Sequence, residues 1–452
     1  MASSFAIAFK AAAMNMAGSI DRRGMLGLGV TATFASAAPA RAAPKDSRFL
    51  WGAATAGHQI EGNNVGADVW LLEQVTPTMF AEPSGDACDS LHRWREDVAI
   101  VKALGLNAYR FSVEWPRIEP APGQFSQAYL DHYARIVDHC RELGLAPVVT
   151  FNHFTTPRWF AAAGGWEHGD APDLFGRYCD RVARTMAAGI SHALTFNEPN
   201  LALGGRWAEN PPPPAAMARL AASIAAAARA SGSDRFSVLN AGDPAPMIRG
   251  VVAAHVKARA AIRAVRGDLP VGLSLAMPDE VAIGPDSAIE RKRADVYGPF
   301  FAVMGQDDFA GLQTYGRDYI GRERSVAAPD DAPKRANGKP WFPAAVGNAA
   351  RYLHKATGKP ILVTENGIDA VDDAERVRFI PEAIASLEAA MADGVPVLGY
   401  LHWSLLDNFE WMSGYGPRYG LVSVDRTTFR RMPKPSAKLL GDIARAGGTG
   451  KR

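Results

Sequence analysis

Pro147-Val148-Val149-Thr150-Phe151-Asn152-His153-Phe154 is an apolar, β-branched and aromatic run that ends in polar side chains, the pattern of a buried strand. Downstream, Pro172–Ala188 carries apolar residues at helical spacing. Ala193–Asn197 is then a second short apolar run, leading into Glu198-Pro199. Strand, helix and strand make a βαβ unit with parallel strands. The alternation continues in both directions. Further strand candidates are Phe49–Ala56, Ala108–Trp115, Val271–Ala276, Phe309–Thr314, Ile361–Thr364 and Val397–Trp403, and further helical patterns cover Leu91–Leu104, Gln127–Leu143 and Glu375–Asp393. Gly105, Gly144, Gly189 and Gly394 follow helical patterns as C-terminal stops. Eight strands alternating with helices predict an α/β fold, a single (β/α)8 TIM barrel.

Composition agrees with one globular domain. The chain has 452 residues, 48% apolar and 21% charged, with 43 Gly and 31 Pro, which excludes a disordered, collagen-like or coiled-coil protein. No fixed-period repeat or Gly/Ser linker divides it. Pro211–Pro214 before the Ala-rich Ala215–Ala230 reads as a proline-stopped loop entering a helix. The polar, proline-rich stretch 322–348 reads as a long loop serving the active face.

The first 42 residues carry a different pattern. Arg22-Arg23 precedes an apolar, Gly/Ala/Thr-rich run to about Ala38, and Ala40 and Ala42 form a small-x-small cleavage signal. This predicts an export signal over 1–42, twin-arginine in type, followed by a catalytic domain over 43–452, and a periplasmic or secreted location. The apolar run is too short to span a bilayer, so no stable membrane span is expected in the mature chain. Residues 1–20 lie upstream of the usual start of such a signal, which leaves Met14 or Met16 as candidate initiators.

Lys plus Arg number 49 and Asp plus Glu 47; removing 1–42 takes Lys10, Arg22, Arg23, Arg41 and Asp21, leaving 45 basic and 46 acidic groups, net −1. That balance argues against a nucleic-acid partner. Cys88, Cys140 and Cys179 show neither a disulfide framework nor metal-ligand spacing, and no metal or cofactor motif is present. Oligomeric state is not readable from the chain.

Function is carried by where polar residues fall. In such barrels, reactive side chains stand at the C-terminal ends of strands. There the chain places His58-Gln59-Ile60-Glu61, Asn152-His153, Asn197-Glu198, Glu365-Asn366 and the run Trp403 to Trp411. Singly, each has an ordinary structural reading: a salt-bridged Glu, a hydrogen-bonded His, a core Trp. Jointly, two carboxylates at the ends of strands four and seven, amid Gln, His, Asn and Trp, fit glycoside hydrolysis. Asp407 reads instead as a brace of the last loop.

At these residues the chain resembles glycoside hydrolase family 1, the β-glucosidase-like retaining glycosidases. The resemblance rests on Phe49 to Gly62, Tyr109-Arg110-Phe111-Ser112-Val113-Glu114-Trp115, Thr195-Phe196-Asn197-Glu198-Pro199, Val363-Thr364-Glu365-Asn366-Gly367 and Trp403 to Leu421. It implies double displacement, with Glu365 as nucleophile and Glu198 as acid and then base. Arg110 and Tyr315 are then expected to donate to Glu365 and keep it ionised, and the Glu365 charge to favour a proton on Glu198. The resemblance also places Asn197 at the sugar 2-hydroxyl. Gln59, His153, Glu410 and Trp411 fall on the other hydroxyls, with Trp403 as platform. Glu410 argues against a 6-phosphoglycoside by charge repulsion.

The expected substrate is a small β-glycoside or oligosaccharide cleaved from its non-reducing end. Glucosides lead, with galactosides and fucosides tolerated. The rivals are a transglycosidase, in which an acceptor replaces water, and a non-catalytic sugar-binding barrel, which has no need of both carboxylates. The chain departs from the family at Gln313, within Gly311-Leu312-Gln313-Thr314-Tyr315, where Asn is usual; the resemblance implies a longer side chain near the nucleophile and an altered sugar site. The stretches after Gly62 and between Met277 and Phe309 are short, which predicts an altered outer site.

Overall fold

Eight strands close into a parallel barrel, each hydrogen-bonded to the next in sequence and the last to the first. The computed structural model describes residues 48–335 and 337–450; the expected export signal lies outside them. The barrel strands are β1 (Leu50–Ala54), β2 (Ala108–Ser112), β3 (Ala146–Asn152), β4 (His192–Asn197), β5 (Val271–Ala276), β6 (Ala310–Thr314), β7 (Ile361–Asn366) and β8 (Val397–Trp403). The outer helices are α1 (Ser90–Ala103), α2 (Gln127–Glu142), α3 (Ala171–Met186), α4 (Pro244–Val265), α5 (Gly298–Met304), α6 (Ala345–Thr357), α7 (Asp373–Ala392) and α8 (Pro435–Ala446). Local chemistry sets their starts. Ser126 and Asp372 accept from backbone N–H groups at the N-termini of α2 and α7. Proline occupies a first-turn position in α3, α4 and α8.

The core has two layers because strand side chains alternate. Leu50, Ala54, Ala108, Val148, Leu194, Leu362 and Leu401 cluster inside the barrel. The intervening residues, such as Tyr109, Val149, Ala193, Leu312 and Val363, face the helices. The same parity sends Arg110, Thr150, Gln313 and Thr364 inward.

Strict alternation would turn Asn197 and Glu365 outward, but both strands carry a bulge just before them. On β4, Leu194 pairs with Gly272 and Asn197 with Ser274, three steps against two. On β7, Val363 pairs with Leu312 and Glu365 with Gln313, two steps against one. Each extra residue re-aims the side chain that follows it.

Several expected boundaries differ. The second strand stops at Ser112 rather than Trp115, because Pro116 starts a helical turn, Trp115–Ile118. The seventh continues past Thr364 through Asn366, since the bulge lets pairing resume. Gly105, Gly144 and Gly394 adopt positive φ after their helices, but Gly189 does not. A Cβ on Gly189 would lie 2.4 Å from Val137 Cγ1, so close packing against α2 is its constraint. Pro214–Ala230 is helical. The stretch expected as one long loop contributes a short strand, Ser325–Val326, to a three-stranded sheet with Asp279–Ala282 and Arg317–Ile320 at the barrel mouth, and its end begins α6. No described helix is long and apolar enough to cross a membrane. The three cysteines are buried and unpaired.

Candidate active site

Glu365 is 3% exposed and is held by three donors from two strands. Arg110 Nη1 on β2 donates to its Oε1 at 2.6 Å, Gln313 Nε2 on β6 to the same oxygen at 2.9 Å, and Tyr315 Oη to Oε2 at 2.6 Å. Arg110 is itself fully buried, anchored by Nε to Thr150 Oγ1 and reaching Asn197 Oδ1 with Nη2 at 2.6 Å. Burial pushes the Glu365 carboxyl above its ordinary value, while the Arg110 charge and the Tyr315 and Arg110 hydrogen bonds pull it down. The expected donors Arg110 and Tyr315 are thus present in geometry and favour the ionised form, but burial outweighs them and the net shift of Glu365 is upward. Burial and the Glu365 charge push Tyr315 well above its ordinary value, so its phenol stays protonated and donates.

Glu198 follows β4 in an unusual backbone state, φ +45°, with its N–H bonded to Ser274 O at 2.9 Å. Phe154 after β3 and Trp411 after β8 also have positive φ, +71° and +51°. Such strain in non-glycine residues gathers at functional sites, where surrounding structure over-determines it. Three of the strand-end loops therefore hold site residues in conformations that free chains avoid.

Gln59, His153, Asn197, Glu198, Tyr315, Glu365, Trp403, Glu410 and Trp411 line one small cavity inside the barrel mouth. The His153 ring runs nearly parallel to two tryptophans: its ring centroid is 5.7 Å from Trp403 at 15° and 6.1 Å from Trp411 at 11°. His58 stacks on Trp411 at 5.5 Å and 2° and is hydrogen-bonded to the buried Glu73. Burial, then the Arg110 charge, holds His153 well below its ordinary value and hence neutral. Trp403 Nε1 donates to Glu410 Oε1 at 3.3 Å. Burial pushes Glu410 up to about 8, with the Glu365 charge adding to it. Gln59 Nε2 is spent on Phe409 O and Asn408 Oδ1. Gln59 Oε1, His153 Nδ1 and Asn197 Nδ2 are buried with no protein partner, and unpaired buried polar atoms are costly unless a ligand serves them.

A second, larger cavity continues outward from Glu198, Tyr315 and Tyr419, which line both. Its walls include Trp207, Met277, Phe342 and Ile368 on the apolar side and Lys292, Arg317, Arg335 and Lys339 on the charged side. These cations are engaged: Lys292 sits between Glu280 and Asp318, Arg317 on Asp279, Arg335 on Glu375 and Lys339 on Asp369. Asp407, read as a brace, accepts from Gly420 N and Lys434. The ten candidate residues, Arg110 included, all reach this centre. Sequence reasoning placed Gln313 near the nucleophile through its departure from the family pattern but named no partner for it, and gave no individual role to Tyr419. The bulges that turn Asn197 and Glu365 inward carried no signal in composition or periodicity. Among the described residues no group of His, Cys, Asp or Glu is placed to hold a metal ion.

Two buried carboxylates at the ends of β4 and β7, ringed by hydrogen-bonding and aromatic side chains in a (β/α)8 barrel, define a glycoside hydrolase architecture. The chain belongs to glycosyl hydrolase family 1, whose sequence profile matches residues 42–287 and 313–449. β-Glucosidase A of Thermotoga maritima is 30% identical over 434 residues, covering 88% of this chain and 97% of that one. A solved apo β-glucosidase is 45% identical with TM-score 0.85, covering 89% of this chain and all of that one. The Thermotoga maritima β-glucosidase in complex with noeuromycin superposes with TM-score 0.75 at 26% identity, covering 88% and 98%. The unmatched segment 288–312 carries Lys292, Val296 and Tyr297 of the outer cavity wall.

Proposed function

We propose that this chain is a retaining exo-β-glycosidase, chiefly a β-glucosidase, that removes terminal non-reducing β-D-glucosyl residues. The observation that carries the reading is the inner cavity itself: Glu198 and Glu365 face one space whose walls hold Gln59 Oε1, His153 Nδ1 and Asn197 Nδ2 without protein partners. That supply of donors and acceptors, beside the indoles of Trp403 and Trp411, suits one hydroxylated ring. The relatives named β-glucosidases support glucose as the leading sugar.

In the first step Glu365 attacks the anomeric carbon while the bond to the leaving oxygen breaks and Glu198 gives that oxygen its proton. The product is a glycosyl ester on Glu365. Esterification removes the Glu365 charge and with it the repulsion that favoured a proton on Glu198. Glu198 then takes a proton from water as the water oxygen bonds to the anomeric carbon, and the ester bond breaks to return Glu365 as carboxylate. Asn197 Nδ2 is suited to the sugar 2-hydroxyl, and Glu410, Gln59 and His153 to the remaining hydroxyls. The outer cavity beyond Glu198 and Tyr315 takes the leaving group.

Hydrolysis of a panel of 4-nitrophenyl glycosides by the 43–452 protein and its Glu365→Gln variant tests this. The β-glucoside should be cleaved best, with rate lost by several orders of magnitude in the variant. An active variant, or cleavage of α- in place of β-glycosides, refutes it.

The N-terminal 42 residues we assign to twin-arginine export to the periplasm or beyond. The arginine pair, apolar run and Ala40/Ala42 exit support that assignment. Intact mass of the protein recovered outside the cytoplasm should begin at Ala43; a full-length cytoplasmic chain counts against it.

A further inference from the structure

Gln313 is 1% exposed and spends both hydrogens of one amide nitrogen on two different site residues: Nε2 donates to Asn197 Oδ1 at 2.6 Å and to Glu365 Oε1 at 2.9 Å. The orientation is dictated by charge. Turned over, the amide would set its carbonyl against a carboxylate oxygen and an amide oxygen, losing two bonds and gaining repulsion. The same logic fixes Asn197. Its Oδ1 accepts from Gln313 and from Arg110 Nη2 at 2.6 Å, which leaves Nδ2 as the end without a protein partner.

We propose that Gln313 is a positioning residue of this centre, whose single amide nitrogen ties the nucleophile Glu365 to Asn197 and sets which end of Asn197 meets the sugar. The proposal rests on the β-glycosidase reading and deepens it. Glutamine carries one methylene more than the asparagine usual at this place in the family. Here the reach from β6 to both Asn197 on β4 and Glu365 on β7 is taken up by that extra length.

The charged and titratable groups around Glu365 are Arg110 from β2, His153 after β3, Glu198 after β4, Tyr315 after β6, and Glu410 and Tyr419 after β8. Gln313 donates to Glu365 as a neutral group that does not titrate, so its removal changes the stabilisation of the carboxylate without changing the formal charge or removing a titrating neighbour. Two readouts follow, neither of which a merely structural role would move. One is the acidic limb of the kcat/KM profile, which reports ionisation in the free enzyme. The other is the preference for a β-glucoside over its 2-deoxy analogue, which reports the Asn197 contact.

The test compares the unmodified enzyme with Gln313→Met, which keeps the length and removes the donor, using 4-nitrophenyl β-glucoside and its 2-deoxy counterpart. The acidic limb should move up by about one pH unit, and the preference for the 2-hydroxyl should fall by about tenfold. If Gln313→Met fails to fold, Gln313→Asn takes its place. The shorter amide reaches at most one acceptor, so one readout moves and the other holds. An active unmodified enzyme whose folded variants keep both limb and preference overturns this proposal alone. An unmodified enzyme inactive on both glycosides overturns the β-glycosidase reading and this proposal with it.

Discussion

Glu410 illustrates how a buried carboxyl in the inner cavity costs stability at single-residue scale. It is buried beside Trp403, and desolvation pushes its carboxyl up to about 8. In the unfolded chain it ionises in the ordinary carboxylate range. Between those values the unfolded state releases the proton and the folded state keeps it. The folded protein is therefore destabilised progressively as pH rises toward 8, and the penalty levels off above. Glu410→Gln removes the titration and should raise Tm by on the order of a few °C at pH 9, and by less at pH 5. At pH 9, where Glu410 is ionised, the same change should weaken kcat/KM for the β-glucoside by at least about tenfold if Glu410 holds the sugar as proposed, since a charge-assisted contact is lost. Paired melts at the two pH values check the first part. A Tm gain that is equal at both, or absent, removes desolvated Glu410 as its source.

At the scale of elements, the barrel interior is too narrow for a side chain on every inward position. β5 and β6 meet at Gly311, where a Cβ would stand 2.1 Å from Ser274 Oγ and 2.8 Å from Ser274 Cα. The glycine lets the strands pair closely two residues before Gln313, whose amide must span to β4 and β7. Gly311→Ala should overpack this contact, with a cost of about 1–3 kcal/mol. It should also lower kcat more than KM is raised, because Gln313 and Glu365 shift together. Chemical denaturation with parallel kinetics reads both; a variant of unchanged stability and kcat refutes the close-packing argument. The bulges on β4 and β7 belong to this scale as well. They are why Asn197 and Glu365 share the interior with Arg110, although their strand parity points them to the helices.

At the scale of the whole molecule, the last βα unit is locked to the first. Arg431, after β8, pairs with Asp97 of α1 at 2.9 Å, both buried, and Arg445 of α8 donates to Leu104 O just past α1. With β8 hydrogen-bonded to β1, these contacts close the ring that sets the strand ends, and so the site, at one mouth. Order along the chain was readable without the structure. The apolar runs predicted all eight strands, since burial on both faces leaves continuous hydrophobic stretches, and polar residues at their ends marked the active face. Boundaries were less legible where proline or a bulge intervened, as at Trp115 and Glu365, because pairing register depends on the neighbouring strand. What the amino-acid sequence by itself determined is the alternation of strand and helix, the family, and which carboxylates stand at strand ends, all consequences of local residue chemistry. What only the tertiary structure decided is which atoms meet: Gln313 shared between Asn197 and Glu365, His153 parallel to both Trp403 and Trp411, and an outer wall of paired charges. Those contacts join residues far apart in the chain, through strand register and barrel closure, and no local pattern encodes a distance between them.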